Sequence, residues 1–205
     1  MKIYDLSPEI SEDMAVYKNK SDKKPKLTVT RTLKEGANES KLDIYVHTGS
    51  HVDAPYHVLE NGKTIEKISL DKFMGKAVVL DFTKVEGSIT KKNFLKKIFF
   101  LTNHIVLLKT KNKNEKTFNF EFTYLEKSGA EYLASKRIKA VGIDSLGIER
   151  NQPAHETHKI FARNGIPIFE GLNLSKVKQG RYFFYGLPLK IKKGDGSPIR
   201  AVLIL

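Results

Sequence analysis

Three of the six histidines in the chain lie within eleven residues, from His47 to His57, together with one carboxylate. The segment reads His-Thr-Gly-Ser-His-Val-Asp-Ala-Pro-Tyr-His, so His47, His51, Asp53 and His57 offer three imidazoles and an acid. Imidazole nitrogen and carboxylate oxygen suit Zn²⁺, Mn²⁺ or Fe²⁺, and they suit Ca²⁺ or Mg²⁺ poorly. An extended backbone would point His51 and Asp53 the same way, because they are two residues apart. The pattern favours a metal site over polar loop residues with ordinary hydrogen bonds.

A second group of candidate ligands follows about a hundred residues later. His155 and His158 are three residues apart at the predicted start of a helix, so they could share one face of it. Glu170 ends an apolar stretch and precedes Gly171, a position where sheet proteins often place site residues. Taken alone, His155 is more typical of a surface group, and Glu170 could equally be a solvated strand end.

Other chemistries have weaker support. The chain has no cysteine, which excludes disulfides, thiolate zinc sites and cysteine nucleophiles. Ser50 and Ser145 lack the Gly-x-Ser-x-Gly context of a hydrolase nucleophile. The basic, glycine-containing stretch 190–198 lacks the spacing of a phosphate-binding loop, and we predict a turn between two strands there.

The formal net charge of +13 makes nucleic acid or an anionic membrane surface a possible partner. Lys supplies most of the 36 cationic side chains and is scattered, which is typical of a solvated surface, whereas base readout favours Arg. A field that attracts an anionic substrate is a further alternative. No apolar run approaches the ~20 residues that span a bilayer, and the N-terminus does not resemble a signal peptide. We expect a cytoplasmic protein without nucleic-acid or membrane partners.

Residues 1–205 are expected to form one α/β or α+β domain around a sheet. The alternation in Leu42–Val46 predicts a half-buried strand, and the continuous apolar runs 78–80 and 105–108 predict strands covered on both faces. Helices are predicted over Ile89–Phe99, from a Ser128–Glu131 capping box to Lys136, and over His155–Arg163. The predicted strands are Lys2–Leu6, Leu27–Leu33, Leu42–Val46, Ala77–Phe82, Ile105–Leu108, Ala140–Ile143 and Ala201–Leu205.

The segment His47–His57 resembles the His-x-Gly-Thr-His-x-Asp-x-Pro-x-His signature of the metal-dependent cyclase family. This family includes bacterial kynurenine formamidase (arylformamidase) and isatin hydrolase. Ser50 stands where the signature has Thr, and it keeps the hydroxyl. Weaker similarity covers nearly the whole chain, in segments 4–7, 75–81, 140–145, 158–172, 186–189 and 196–201.

The resemblance implies a compact mixed-sheet fold of the swivelling β/β/α type, assembled as a homodimer or homotetramer. It also implies two divalent metal ions, with Zn²⁺ expected and Mn²⁺ as the alternative. Asp53 and Glu170 would bridge the two ions, and His57 would be left free as proton donor and acceptor. The remaining ligands implied are His47 and His51 for the first ion and His158 for the second.

The implied substrate is a small-molecule amide, first N-formyl-L-kynurenine, hydrolysed by a metal-activated water to L-kynurenine and formate in tryptophan catabolism. His57 would pass a proton to the leaving nitrogen. Tyr17 stands where kynurenine formamidases typically have Trp, which leaves the substrate open. It is the candidate for stacking on an aryl substrate, with Lys18 attracting a carboxylate, unless it merely packs in a loop. A cyclic-amide or lactone hydrolase, and a non-catalytic metal- or ligand-binding protein on the same fold, are the alternatives.

Overall fold

The computed structural model of the chain describes residues 1–97, 101–112 and 116–205. Its α-helices are α1 (Lys91–Leu95), α2 (Lys127–Ser135) and α3 (Glu156–Arg163). Its strands are β1 (Ile3–Asp5), β2 (Lys26–Arg31), β3 (Glu39–Asp43), β4 (His51–Asp53), β5 (Met74–Asp81), β6 (Ser88–Ile89), β7 (Ile105–Lys109), β8 (Tyr124–Leu125), β9 (Ala140–Ile143), β10 (Ile168–Glu170), β11 (Gly180–Tyr185), β12 (Gly196–Pro198) and β13 (Val202–Ile204).

A nine-stranded mixed sheet, in the order β1-β13-β11-β5-β7-β9-β10-β4-β12, forms the centre of the protein. The central strands β5, β7, β9 and β10 run parallel, and the flanking strands join them antiparallel. Parallel neighbours need a crossover connection, and α1, α2 and α3 each lie in one of the three connections between them. The expected α/β architecture with a mixed sheet is confirmed. Among the described helices, none has the length and apolar character needed to cross a bilayer.

The central strands are covered by apolar side chains on both faces. In β5, Val78 and Leu80 belong to a buried cluster that includes Phe161 of α3. The alternate residues Ala77 and Val79 belong to a second buried cluster on the opposite face. The prediction that the continuous apolar runs are strands covered on both faces is therefore confirmed. Burying each large side chain of this kind contributes about 1.5–3 kcal/mol to folding.

β2 and β3 form a separate antiparallel hairpin in which every residue is exposed. The predicted half-buried strand Leu42–Val46 is wrong in two respects. The strand ends at Asp43, and Leu42 is 47% exposed. The apolar alternation is real, but no described part of the chain covers the face that it forms.

The helices lie close to their predicted positions, with different starts and lengths. α3 agrees with the prediction, and His155 is its N-cap residue. The predicted capping box at the start of α2 is wrong, because Glu126 is the N-cap and accepts the backbone N–H of Ser128. α1 is shorter than the predicted helix Ile89–Phe99, whose residues 98 and 99 lie outside the described residues.

The sequence prediction lacks three strands of the central sheet, β4, β11 and β12, as well as the two-residue strands β6 and β8. The expected loop at 47–57 contains β4, and the expected turn at 190–198 runs into β12, which pairs with β4. β11 pairs with β5 and β13. β4 and β12 are only three residues long. They pair with each other, and β4 also pairs with β10, so their formation depends on these pairings rather than on local sequence.

Candidate metal centre

β4 places His51 and Asp53 on the same face of the sheet, because alternate residues of a strand share a face. In the adjacent antiparallel strand β10, Glu170 pairs directly with His51. Directly opposed side chains in such a pair lie on one face about 5 Å apart. All three side chains are buried. Strand register therefore brings together the first and second groups of candidate ligands.

His47 reaches the same face from the loop that precedes β4. It packs so closely on β12 that a Cβ added at Gly196 would lie 2.7 Å from its ring carbon Cε1. Gly171, just after β10, has a φ of +67°, and a Cβ there would lie 2.3 Å from the carbonyl oxygen of Gly49. Side chains at these two glycines would force the segment 47–57 away from the neighbouring strands.

His158 comes from the first turns of α3 and faces β4. The helix is held by Phe161, which is fully buried in the core cluster. The side chain of His158 is itself buried, with 9% of its surface exposed. The position of the His158 imidazole is thus fixed by the packing of the apolar face of α3, and not by strand pairing.

The Nε2 atoms of His51 and His158 each face one oxygen of Asp53 and one of Glu170. His51 Nε2 lies 3.5 Å from Asp53 Oδ1 and 3.4 Å from Glu170 Oε2. His158 Nε2 lies 3.4 Å from Asp53 Oδ2 and 3.4 Å from Glu170 Oε1. These distances are long for hydrogen bonds. They match two ligand atoms of one tetrahedral ion, which lie about 3.4 Å apart when each is about 2.1 Å from the metal.

The unpartnered carboxylate oxygen of Asp53 also suits a bound cation. Its Oδ2 is buried and has no hydrogen-bond partner among the described residues. Burying a carboxylate oxygen without a partner costs free energy, which a bound cation offsets. Ligand atoms of His47, His51 and Asp53 lie within 4.8 Å of one another, as do those of Asp53, His57 and His158. This His/Asp cluster is capable of binding a metal ion.

Asp195 connects His47 with His57, although sequence reasoning does not single it out. Its Oδ2 lies 2.8 Å from His47 Nε2 and 3.4 Å from His57 Nδ1. The rings of His47 and His57 are 4.2 Å apart between centroids. His57 lies at the rim, with 33% of its side chain exposed. Asp195 stands just before β12, so the pairing of β12 with β4 places it beside the histidines.

The acids set the protonation of the imidazoles around them. Burial lowers the pKa of His47, but hydrogen bonds and charges from Asp53 and Asp195 outweigh this and raise it to about 9. Burial holds the pKa of His57 below its ordinary value, and the opposing charge of Asp53 does not restore it. Burial and the charge of Asp53 raise the pKa of Glu170, but the imidazoles of His158 and His51 that face it outweigh both and keep that acid ionised. A neutral His57 thus stands beside ionised carboxylates.

The cluster opens into a cavity of about 610 Å³. Tyr17 lines it and is 39% exposed, with its ring edge-to-face against Phe118 at 5.1 Å. Lys23 also lines the cavity, with its Nζ 5.5 Å from the Tyr17 ring and 5.7 Å from the Tyr45 ring. Lys18, the predicted cation, lies 5.2 Å from the Tyr17 ring centroid. Tyr17 and Lys23 thus both line the cavity, and the sequence had singled out only Tyr17.

His155 lies apart from the ligand atoms that face Asp53. Its Nδ1 lies 2.7 Å from Oε1 of Glu149, a buried acid that sequence reasoning missed. Glu149 also lies 2.9 Å from Nδ1 of His158, on the side of that ring opposite the carboxylates. No feature of the sequence distinguishes Glu149 from the other acids, because its burial depends on the fold of 144–156.

Three known proteins or families resemble this chain over most of its length. Residues 4–150 match the family model described as a putative cyclase. A kynurenine formamidase of Bacillus thuringiensis subsp. konkukian (strain 97-27) is 28% identical over 203 residues, covering 97% of this chain and 95% of that protein. A solved structure of a potential metal-dependent hydrolase with cyclase activity is 44% identical, with a TM-score of 0.90, covering 98% of this chain and 96% of that one.

A more distant structure has the same fold. An isatin hydrolase, bound to the product analogue thioisatinate, superposes with a TM-score of 0.87 at 19% identity, covering 100% of this chain and 92% of that one. The overlap at this identity concerns the fold alone. The family resemblance inferred from the segment 47–57 is confirmed by the family model that matches residues 4–150.

Proposed function

The chain belongs to the cyclase family, and we propose that it is a metal-dependent hydrolase of the kynurenine formamidase type. It would hydrolyse N-formyl-L-kynurenine to L-kynurenine and formate, a step of tryptophan catabolism. One observation carries the proposal: two imidazole Nε2 atoms and two carboxylates lie 3.4–3.5 Å apart at the base of an open cavity. Similarity to the Bacillus kynurenine formamidase supports the choice of substrate.

We assign two divalent ions to the centre, with zinc first and manganese second. Zn²⁺ accepts imidazole nitrogen and carboxylate oxygen, and five donors exceed what one four-coordinate ion with an open position needs. A bound ion supplies Lewis acidity, and it lowers the pKa of water from 15.7 towards ~7. Asp53 and Glu170 would be shared between the ions. The other ligands assigned are His47 and His51 on one side and His158 on the other.

His57 is assigned as the residue that moves the proton. Its lowered pKa leaves the ring neutral near pH 7, so it can accept a proton. Asp195 Oδ2 faces Nδ1 at 3.4 Å, which favours a proton on that nitrogen and a free lone pair on Nε2. His57 would take a proton at Nε2 from the attacking water and pass it to the leaving aryl nitrogen. This is the role of a general acid–base catalyst.

The cavity suits an aryl amide. A volume of about 610 Å³ lies within the usual range for small-molecule sites. Tyr17 offers an aromatic edge or face to an aryl ring, and Lys23 offers a cation for a carboxylate. We therefore assign Tyr17 to substrate binding, with Lys23 rather than Lys18 as the cation that faces the cavity.

The fold shared with isatin hydrolase supports a second candidate, the hydrolysis of a cyclic amide or lactone. Such a substrate also presents a carbonyl to the centre, and His57 would deliver the proton to the leaving nitrogen of a cyclic amide or the leaving oxygen of a lactone. A non-catalytic metal-binding protein would have no need of His57 at the rim, so we regard it as the weaker alternative.

We further propose a cytoplasmic homodimer, with a homotetramer as the larger alternative. The hairpin of β2 and β3 exposes Leu27 by 59%, Val29 by 62% and Leu42 by 47%. A two-stranded hairpin is at best marginally stable in isolation, so an apolar surface of this kind is expected to pack against a second copy of the chain.

A substrate screen of the zinc- and manganese-loaded protein tests the proposal. N-formyl-L-kynurenine should be hydrolysed with release of formate, and His57→Ala should abolish most of this turnover. Faster turnover of isatin-type cyclic amides would select the second candidate. No hydrolysis of either class by metal-loaded protein would refute the enzymatic assignment.

A further inference from the structure

Glu149 is a buried acid that the reaction above does not use. Only 6% of its side chain is exposed, although it carries a carboxylate. Charged side chains are seldom buried unless they are paired. The partners of Glu149 lie at the start of α3, directly behind the imidazole of His158.

The two oxygens of Glu149 have different partners. Oε2 accepts the backbone N–H of Thr157 at 3.0 Å and that of His158 at 3.3 Å, which satisfies two donors at the first turn of α3. Oε1 lies 2.7 Å from His155 Nδ1 and 2.9 Å from His158 Nδ1. The backbone contacts therefore fix which oxygen is presented to the two rings.

Glu149 is the one described group that faces Nδ1 of His158. The N–H of this nitrogen is not aligned as a hydrogen bond, and no other partner is described for it. The carboxylate oxygen nevertheless lies 2.9 Å from Nδ1, so its negative charge favours a proton on that nitrogen. The opposite nitrogen, Nε2, lies 3.4 Å from both Asp53 and Glu170. An imidazole protonated on Nδ1 presents a lone pair at Nε2, which is the form that binds a metal.

His155 adds to this arrangement at a cost in backbone conformation. It adopts a φ of 53° and a ψ of 47°, in the left-handed region that residues other than Gly uncommonly occupy. Such a conformation persists when surrounding contacts hold it in place. The contact between His155 Nδ1 and Glu149 Oε1 is one of these, and it gives Oε1 a second ring as partner.

We propose that Glu149 is a positioning residue that fixes His158 in the Nδ1–H tautomer, so that Nε2 is available to a metal ion. This inference rests on the metal centre proposed above. Carboxylate groups behind ligating histidines commonly orient the ring, and their loss typically lowers metal affinity 10–100-fold. The alternative is that Glu149 only caps α3 through its two backbone contacts.

Two substitutions distinguish these roles because they affect the two oxygens differently. In Glu149→Gln the two backbone N–H groups hold the amide oxygen at the Oε2 position, so the NH₂ group faces His158 Nδ1. That nitrogen must then accept, and the ring proton moves to Nε2, where it opposes metal binding. In Glu149→Ala water can replace the carboxylate and accept from Nδ1. We expect zinc affinity to fall in the order wild type, Glu149→Ala, Glu149→Gln.

The test uses full-length, metal-free protein and Zn²⁺. Calorimetric titration against a competing chelator should show a 10–100-fold weaker site in Glu149→Gln. Glu131→Gln, which removes one exposed carboxylate of α2, is the matched control and should bind as wild type does. Circular dichroism checks that each variant is folded.

A spectroscopic measurement on the wild type makes the test independent of any variant. In zinc-loaded protein, ¹⁵N–¹H correlation spectra should report a proton on His158 Nδ1 and none on Nε2. A proton on Nε2, or unchanged zinc binding in folded Glu149→Gln, would overturn the positioning role while leaving the metal centre intact. Wild-type protein that binds no zinc would instead overturn the metal centre itself.

Discussion

Replacing Asp144 with Asn tests whether burial raises the pKa of a carboxyl group outside the proposed metal centre. Asp144 follows β9 and is 5% exposed. Burial raises the pKa of its carboxyl from 3.8 to about 6, even though the backbone N–H and hydroxyl of Thr110 and the amide of Asn112 donate to it. The folded protein therefore prefers the protonated acid more strongly than the unfolded chain does.

The sign and size of the effect follow from this pKa. An acid with a raised folded-state pKa stabilises the fold fully below pH 3.8, and this contribution is lost as the pH rises through about 6. Each pH unit corresponds to about 1.4 kcal/mol, so the full contribution is about 3 kcal/mol. Of this, about 2 kcal/mol is expected to disappear between pH 4 and pH 7.

Denaturant unfolding of wild type and Asp144→Asn at a series of pH values measures this contribution. Asn does not titrate, and other groups cancel in the difference between the two proteins. The variant carries a constant cost, because its NH₂ group faces a donor of Thr110. On top of that cost, its unfolding free energy should rise by about 2 kcal/mol relative to wild type from pH 4 to pH 7. A difference that does not change with pH would show that Asp144 titrates normally, and the argument from burial would be wrong.

Three further predictions concern the proposed activity and assembly. His57→Ala should lower turnover of N-formyl-L-kynurenine roughly 10²- to 10⁴-fold while metal content by elemental analysis stays unchanged; near-normal turnover would exclude the proton-transfer role. Tyr17→Ala should raise KM for aryl amides with little change in metal content, and an unchanged KM would rule out stacking by Tyr17. Leu27→Glu should shift the mass measured by light scattering towards the monomer, because it puts a charge on the exposed hairpin; an unchanged dimer would place the subunit contact elsewhere.

The parts of the fold that the sequence predicted are those with a strong local pattern. Ile105–Leu108 and Ala140–Ile143 are continuous apolar runs, and both are central strands buried on both faces. Leu42 shows the limit of such patterns. Its alternation with polar neighbours correctly indicates a strand, but a pattern cannot show whether anything covers the apolar face.

The residues of the candidate site also differ in how far the sequence alone could identify them. His47, His51 and Asp53 could be found because they lie close together in one unusual segment. His158 and Glu170 were weaker candidates from their positions, and the family resemblance assigned them as ligands. The structure brings all five to one face, mainly through the pairing of β4 with β10 and the packing of α3.

Asp195 and Glu149 could not be found from the sequence. Asp195 lies 148 residues from His47, in a stretch that looks like an ordinary turn between glycines. Glu149 becomes distinctive only through burial and the two rings that it contacts. Both acids contact histidine rings in the folded protein, and neither burial nor ring contacts of this kind can be read from the residue types around them.

A paired titration of metal and activity tests the central claim most directly. Protein stripped with a chelator receives zinc stepwise, and bound zinc and release of formate from N-formyl-L-kynurenine are measured on the same samples. We expect negligible hydrolysis without metal and full activity once two zinc ions are bound per chain. Hydrolysis that is already complete in metal-free protein, or a chain that takes up no zinc, would contradict the account.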